Sequence, residues 1–294
     1  MHPNAFYYFA PKTVREASNL LTKYRGEAKV LAGGHSLIPL MKLRLATPMY
    51  IVDINRIKEL SYIRKSNARI RIGALTRYHD LETSPVLRKA CPMLVETAMT
   101  IGDPQVRNRG TIGGNLCHGD PANNLPPTMI ALNAEFIINR PPKKRTVKAE
   151  KFFKDLFTTD LKHNEILTEV DIPIPPVGSG GTYLKFERKV GDLAIVSVAA
   201  QLTMNGKRCK RASIGLGSAG IIPIKARNAE ESLIGREITE ETIRKAAEEA
   251  SKESQPLSDL RGSAEYKSEM VKIFTQRAVK IAYERAMKGG KITK

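Results

Sequence analysis

The chain of 294 residues has only three cysteines and no tryptophan. Cys91, Cys117 and Cys209 form no C-x-x-C pair, so the sequence shows neither a disulfide framework nor an iron–sulfur site. None of the five histidines shows metal-ligand spacing, and we expect no metal site in this chain. No apolar run approaches the roughly 20 residues that a membrane span requires. The amino terminus also lacks a basic-then-apolar signal pattern, which predicts a cytoplasmic protein without a membrane span.

Acidic residues are scarce relative to basic ones: 30 Asp and Glu stand against 48 Lys and Arg, a net charge of +18. Such an excess indicates an anionic partner, which is a nucleic acid, a phosphorylated cofactor or an acidic protein surface. The densest basic runs, at 141–148 and 205–211, are typical of turns between strands. Because the sequence has no helix-turn-helix, aromatic RNA-binding or zinc-finger motif, we expect no nucleic-acid partner.

Helix-like and strand-like patterns alternate along the chain and predict an α+β protein. The main helix patterns cover 13–24, with Thr13 as the N-cap, and 84–101, with Pro85 in the first turn. The Pro- and Gly-rich segment 175–181 predicts a domain boundary, and an antiparallel meander followed by two long helices is expected beyond it. We therefore divide the chain into a small βαβ-like lobe, a larger mixed lobe and a C-terminal α+β domain, at 1–55, 56–176 and 177–294.

Two segments place adjacent glycines beside polar residues: AGGHS at 32–36 and TIGGN at 111–115. Glycine lets the backbone turn sharply or approach a ligand closely, and N–H groups at the start of a helix attract phosphate. A single such segment is explained equally well by an ordinary strand-to-helix turn. Two of them, each followed by a predicted helix (the second at about 121–132), indicate a pyrophosphate held between two loops.

A third glycine motif, GLGSAG at 215–220, fits the dinucleotide pattern G-x-G-x-x-G. In a dinucleotide-binding fold those glycines open a helix after a parallel strand. Here Pro223 and β-branched residues follow, so no helix is expected at the third glycine. The pattern predicts a turn or bulge after a strand rather than a Rossmann site.

Taken in order, these motifs resemble the FAD-binding medium subunit of the molybdenum hydroxylases. The resemblance rests on AGGHSLIPLMKLRL and RNRGTIGGNLCHGDPANNLPP, followed by EILTEVDIPIP, YLKFERKVGDLAIVSVA and GLGSAGIIPIKA, and covers essentially the whole chain. That family includes carbon monoxide dehydrogenase-type and aldehyde oxidoreductase-type heterotrimers and the flavin region of xanthine dehydrogenase. It implies a vanillyl-alcohol-oxidase-type FAD-binding domain of two α/β lobes, followed by a C-terminal antiparallel sheet with helices.

The resemblance also implies which residues bind FAD. A lysine near the flavin N1/O2 edge, here Lys185, would stabilise the anionic reduced ring, whereas a solvated strand lysine is the alternative. For His35 a hydrogen-bonded, partly buried side chain is as plausible as a phosphate contact. Leu193 stands where relatives of the carbon monoxide dehydrogenase type tend to have an aromatic residue, so that stacking partner is absent. The implied residues are Ala32, Gly33, Gly34, His35, Ser36 and Leu37 at the first pyrophosphate grip; Thr111, Gly113, Gly114 and Asn115 at the second; Ile101 and Gly102 near the cofactor; Asp120 and Asn124 at the adenosine–phosphate half; Ile166 and Lys185 along the cofactor; and Asp192 near the ring.

The function implied by the resemblance is electron transfer within a heterotrimer or a dimer of heterotrimers. A large molybdopterin subunit would oxidise the substrate, and a small subunit with [2Fe–2S] clusters would pass electrons to this FAD and onward to an external acceptor. No catalytic residue for substrate oxidation is expected in this chain. Leu193 favours aldehyde oxidation; a carbon monoxide dehydrogenase or xanthine dehydrogenase-type subunit, a stand-alone flavin oxidase and a basic phosphate- or nucleic-acid-binding module are the alternatives.

Overall fold

The computed structural model describes residues 2–289, and its first sheet has three parallel strands in the order β1-β3-β2. Its strands are β1 (Tyr7–Phe9), β2 (Ala28–Leu31) and β3 (Tyr50–Asp53), and its helices are α1 (Val14–Lys23) and α2 (Leu37–Lys42). The predicted first helix is confirmed, since the Thr13 side chain accepts a hydrogen bond from the Glu16 N–H at 3.1 Å. Two 3₁₀ turns, Ile54–Arg56 and Lys58–Leu60, lead from β3 into the next lobe.

The second lobe is built on a five-stranded antiparallel sheet in the order β4-β5-β10-β6-β7. Its strands, with a small separate hairpin of β8 and β9, are β4 (Ile63–Ser66), β5 (Arg69–Gly73), β6 (Glu135–Arg140), β7 (Lys143–Lys148), β8 (Phe153–Asp155), β9 (Thr158–Thr159) and β10 (Ile166–Pro173). Its helices are α3 (Tyr78–Thr83), α4 (Pro85–Ala90), α5 (Pro92–Met99), α6 (Pro104–Arg109), α7 (Ile112–His118), α8 (Leu125–Ala131) and α9 (Ala149–Phe152).

Two helix predictions in this lobe differ from the structure. The single helix expected at 84–101 is two helices, α4 and α5, which break at Cys91 (φ −152°). Pro92 cannot donate the N–H that a continuous helix needs, and it starts α5 instead. The helix expected at about 121–132 begins only at Leu125, because the Asp120 carboxylate accepts the Ala122 N–H at 2.8 Å and holds the preceding residues in a turn.

The C-terminal domain is the predicted antiparallel meander covered by helices. Strand β11 pairs with β12, β12 with β13 and β13 with β14, all antiparallel. The elements are β11 (Ser179–Phe186), β12 (Val196–Asn205), β13 (Arg208–Gly217), β14 (Ile224–Lys225), α10 (Arg227–Leu233), α11 (Glu240–Glu253) and α12 (Ala264–Met287).

The GLGSAG segment forms the end of β13 and a turn, as predicted. Strand β13 ends at Gly217, Ser218 has a positive φ of 54°, and the residues from 218 to 226 contain no helix. The motif therefore does not open a dinucleotide-binding helix.

Among residues 2–289, buried hydrophobic residues form three clusters, one against each of the three larger sheets. The cluster against the first sheet, β1-β3-β2, also contains Leu75 and Ile166 from the second lobe, so the two lobes share apolar contacts. The division at 1–55, 56–176 and 177–294 stays a prediction. Within residues 2–289, no helix is long and apolar enough to cross a bilayer, and no three His, Cys, Asp or Glu side chains are grouped to hold a metal ion.

Candidate cofactor site

The first glycine loop connects β2 to α2. Gly34 has a positive φ of 78°, a conformation that favours glycine. In the described part of the chain, the backbone N–H groups of Gly34, His35 and Ser36 donate no hydrogen bond. The Ser36 hydroxyl makes no capping bond to α2, and His35 is exposed, with its Nδ1 3.1 Å from the Gly33 carbonyl oxygen of the same turn. The loop thus presents unpaired donors to an anion.

The second glycine loop differs from its prediction, since Gly113 and Gly114 lie in the first turn of α7 rather than before a helix. Thr111 caps this helix by accepting the Gly114 N–H at 3.1 Å, and the Gly113 N–H donates to the Ala74 carbonyl at 2.8 Å. A Cβ on Gly113 would lie 2.7 Å from the Ala74 Cβ, so this glycine allows α7 to pack against the end of β5. Within residues 2–289, the buried Asn115 Oδ1 accepts no hydrogen bond, and the Asn115 side chain lies beside the buried Tyr78 hydroxyl.

The two glycine loops meet backbone to backbone. A Cβ added to Gly33 would lie 2.5 Å from the Arg109 carbonyl oxygen and 2.8 Å from the Gly110 Cα. A Cβ on Gly114 would lie 3.8 Å from the Ala32 Cβ. The structure therefore brings together the two segments that the sequence places about 75 residues apart.

A third predicted segment, Ile101–Gly102, is held by two side chains that converge on the preceding residue. The Thr100 carbonyl accepts from Asn124 Nδ2 at 3.2 Å and from Lys185 Nζ at 2.8 Å. Gly102 has a positive φ of 47°, and Ile101 is buried. The segment is thus fixed from both the second lobe and the C-terminal domain.

Lys185 is buried, with 2% of its side chain exposed, so the alternative of a solvated strand lysine is wrong. Its ammonium donates to the carbonyls of Thr100 (2.8 Å) and Asp192 (2.9 Å) and pairs with the Glu187 carboxylate at 2.6 Å. The two hydrogen bonds fix the loop that carries Asp192 and Leu193, and the Glu187 contact is an ion pair. Whether Lys185 lies at the flavin ring stays a prediction.

The remaining predicted residues occupy different surroundings. Ile166 is buried in the apolar cluster that Ala32 also contacts. The Asp120 carboxylate is used in its own turn. Asn123, which the sequence analysis did not single out, donates to the Asn115 carbonyl at 2.9 Å; together with Asn124 it connects the second glycine loop to the Thr100 segment.

Two further side chains lie between the glycine loops and were missed. Arg77 Nη2 donates to Asn55 Oδ1 at 2.7 Å, and Arg77 Nη1 donates to the Arg109 carbonyl. Burial, together with the nearby positive charge of Arg109, lowers the pKa of Arg77. No local motif marks this pair, which is separated by 22 positions and meets only in the fold.

Comparison with known proteins identifies the architecture. Residues 4–175 match the family described as the FAD binding domain in molybdopterin dehydrogenase, and residues 181–282 match the carbon monoxide dehydrogenase flavoprotein C-terminal domain. The chain belongs to this flavoprotein family. Both the resemblance read from the motifs and the predicted fold class are therefore confirmed.

Relatives and solved structures match this flavoprotein over nearly its whole length. It is 41% identical to the carbon monoxide dehydrogenase medium chain of Hydrogenophaga pseudoflava over 285 residues, which cover 97% of this chain and 99% of that one. It is 38% identical to the glyceraldehyde dehydrogenase medium chain of Sulfolobus acidocaldarius over 280 residues, covering 95% and 99%. The solved structure of the Hydrogenophaga enzyme lacking the Mo-pyranopterin moiety superposes with a TM-score of 0.96 at 42% identity, covering 97% of this chain and 99% of that one.

The observed geometry fits the FAD that this family binds. In the described residues, the first loop offers unpaired N–H groups to a phosphate, and Asn115 Oδ1 of the second offers an acceptor for a hydroxyl or N–H group of the cofactor. Glycine at position 33 leaves no side chain between the loops. A dinucleotide with a central pyrophosphate is a ligand that such a paired-loop site accommodates.

Proposed function

We propose that this chain is the FAD-carrying electron-transfer subunit of a heterotrimeric molybdenum hydroxylase, or of a dimer of such heterotrimers. A large molybdopterin subunit oxidises the substrate, and a small subunit passes the electrons through [2Fe–2S] clusters to the FAD held here and onward to an external acceptor. Bound FAD accepts electrons singly and releases them in pairs, which suits the last position in such a chain.

The observation that carries this proposal is the backbone contact between the two glycine loops, with Gly33 against Arg109 and Gly110. In the proposed site, the N–H groups of the first loop and the Ser36 hydroxyl bind the pyrophosphate. Thr111, Gly113, Gly114 and Asn115 form the facing wall. Asn124 and Lys185 hold the Thr100 carbonyl, which orients Ile101 and Gly102 toward the cofactor.

Carbon monoxide is the substrate class we place first. The relatives named as carbon monoxide dehydrogenase medium chains are 41% and 42% identical to this chain, against 38% for the glyceraldehyde dehydrogenase medium chain. An aldehyde is the second candidate, and the observation in its favour is Leu193, which is 40% exposed and offers no aromatic ring at its position.

Anaerobic reduction of the purified native complex tests both the function and the substrate. We expect FAD, iron, sulfide and molybdenum in the complex, and bleaching of its flavin absorption by carbon monoxide but not by aldehydes. If aldehydes alone bleach the flavin, an aldehyde replaces carbon monoxide as the first candidate substrate. Absence of flavin from the complex, or substrate-driven bleaching of this chain supplied with FAD but without partners, would overturn the proposal.

A further inference from the structure

Asn55 and Arg77 connect the two glycine loops through a continuous chain of hydrogen bonds. Asn55 Nδ2 donates to the Ala32 carbonyl at 2.7 Å, and Asn55 Oδ1 accepts from Arg77 Nη2 at 2.7 Å. Arg77 Nη1 then donates to the Arg109 carbonyl of the other loop. We call this pair of side chains the loop strut. It spans from the residue before Gly33 to the residue before Gly110.

The two members of the loop strut have different anchors: Asn55 is held at the end of β3, whereas the Arg77 backbone is attached to the second glycine loop. The Asn55 N–H and Nδ2 donate to Asp53 Oδ1 at 2.8 and 2.6 Å, at the end of β3. The backbone at Arg77 forms a bridge with Thr111, and the neighbouring Ile112 N–H donates to the Thr76 carbonyl at 3.0 Å. A change in either side chain would therefore remove the side-chain connection between the two loops and leave these backbone contacts in place.

The charge on Arg77 is not neutralised by a direct partner. Its acceptors are an amide oxygen and a carbonyl, and in the described part of the chain it forms no ion pair within 4.0 Å. A half-buried guanidinium without a carboxylate partner raises the local positive potential. That potential lies between the two loops proposed to hold a dianionic pyrophosphate.

We propose that Asn55 and Arg77 are positioning residues that set the separation of the two glycine loops, and that the Arg77 charge adds to the affinity for the FAD pyrophosphate. This inference rests on the proposed function, because it takes FAD as the ligand. It predicts that the separation of the loops depends on both side chains together, whereas the electrostatic contribution to FAD affinity depends on Arg77 alone.

A double-mutant cycle on the purified complex tests the inference. The flavin is removed, and FAD is titrated back while its fluorescence and the thermal stability of the apo complex are measured. Asn55→Ala and Arg77→Met should each weaken FAD binding by about 10- to 100-fold, as expected for loss of a hydrogen bond to a charged group. Because both residues belong to one network, the double variant should bind FAD as Arg77→Met alone does. Arg25→Met, at an exposed arginine of the N-terminal lobe that also carries Asn55, is the control and should bind as wild type.

The salt dependence of FAD binding and a second ligand, ADP, distinguish the effect of the Arg77 charge from the effect of the loop separation. Arg77→Lys keeps the charge but cannot bridge two acceptors, so it should weaken FAD binding and retain the wild-type salt dependence, which Arg77→Met should reduce. ADP, which carries the pyrophosphate, should lose affinity in parallel with FAD, whereas adenosine should not. If Arg77→Met fails to assemble, Asn55→Ala and Arg77→Lys decide the question.

The outcomes distinguish this inference from the proposed function. Wild-type complex that does not rebind FAD would overturn the proposed function. Wild-type complex that rebinds FAD, with Asn55→Ala and Arg77→Lys equal to it, would overturn the loop strut alone. Strictly additive losses in the double variant would show two separate contacts and would also overturn it.

Discussion

The guanidinium of Arg285 lies against the carboxylate of Glu96, with Nη1 and Nη2 donating to its two oxygens at 2.9 and 3.0 Å. Arg285 is in the last helix, α12, and Glu96 is in α5 of the second lobe, 189 positions away. Glu96 also accepts from the Thr182 hydroxyl at 3.1 Å and from the Tyr183 N–H at 3.2 Å. The C-terminal domain is thus attached to the cofactor-binding lobe through a partly buried ion pair, on the helix α5 that Thr100 caps at its C-terminus.

Removal of this ion pair should loosen the two domains. Arg285→Met leaves a partly buried carboxylate without its cation and should lower the free energy of unfolding by about 2–3 kcal/mol. Differential scanning calorimetry measures the change, and limited proteolysis at residues 174–178, between β10 and β11, should become faster. Lys280→Met is the control, since it removes an exposed ion pair to Glu240 from the same helix and should change neither result. Equal behaviour of the two variants would contradict the interdomain role of Glu96.

A substitution at Gly34 in the first glycine loop should cause the loss of FAD, whereas an equally strained substitution outside the loop should not. Gly34 and Gly26 both have positive φ, at 78° and 85°, so valine is strained at either position. Only Gly34 lies in the candidate site, and nothing lies within 4 Å of a Cβ built on Gly26. Gly34→Val should abolish FAD retention, measured from the visible spectrum, whereas Gly26→Val should keep the flavin. Full flavin occupancy in Gly34→Val would show that this loop does not bind the pyrophosphate.

The second glycine loop should also depend on the absence of a side chain. A Cβ on Gly114 would lie 2.8 Å from Thr111 Oγ1 and would disturb the cap of α7. Gly114→Val should therefore lose FAD while the C-terminal domain stays folded, as judged by a thermal transition retained from that domain. Retention of flavin at wild-type occupancy would contradict the two-loop arrangement.

Local sequence patterns identified the two glycine loops that the fold brings together, and their assignment as the cofactor site stays a prediction. Glycine pairs next to polar residues are visible in the sequence because close backbone approach requires a particular residue type at a fixed spacing. The breaks at Cys91 and before Leu125 were missed because a proline and an Asx turn override an otherwise helical pattern. The Arg285–Glu96 pair could not be predicted, since only tertiary packing brings its two members together. The contact between Asn55 and Arg77 could not be predicted either, because no periodic pattern in the sequence marks it.

His118, the last residue of α7, predicts lower stability in acid. Burial lowers its pKa from the ordinary value of 6.5, and the nearby Asp120 charge only partly opposes this effect. The unfolded chain therefore binds a proton more readily than the folded one, so stability is present above pH 6.5 and declines as the pH falls from 6.5 toward the lowered folded value. His118→Gln should flatten this part of the profile. Thermal melts of the complex between neutral and mildly acidic pH measure it, and an unchanged slope in the variant would show that other groups cause the decline.

The Lys185–Glu187 pair predicts opposite shifts in the flavin midpoint potential. If the Lys185 charge stabilises the anionic reduced ring, Lys185→Met should lower the potential by tens of millivolts, since about 30 mV corresponds to roughly 1.4 kcal/mol for a two-electron couple. The Glu187 carboxylate, 2.6 Å from Lys185 Nζ, partly neutralises that charge, so Glu187→Gln should raise the potential. Potentiometric titration of the flavin in the complex measures both. Because Lys185 also holds the Thr100 and Asp192 carbonyls, FAD affinity is measured alongside to separate charge from loop position. Shifts of the same sign in the two variants would mean that both act by displacing the loop, and an unchanged potential in Lys185→Met would place Lys185 away from the ring.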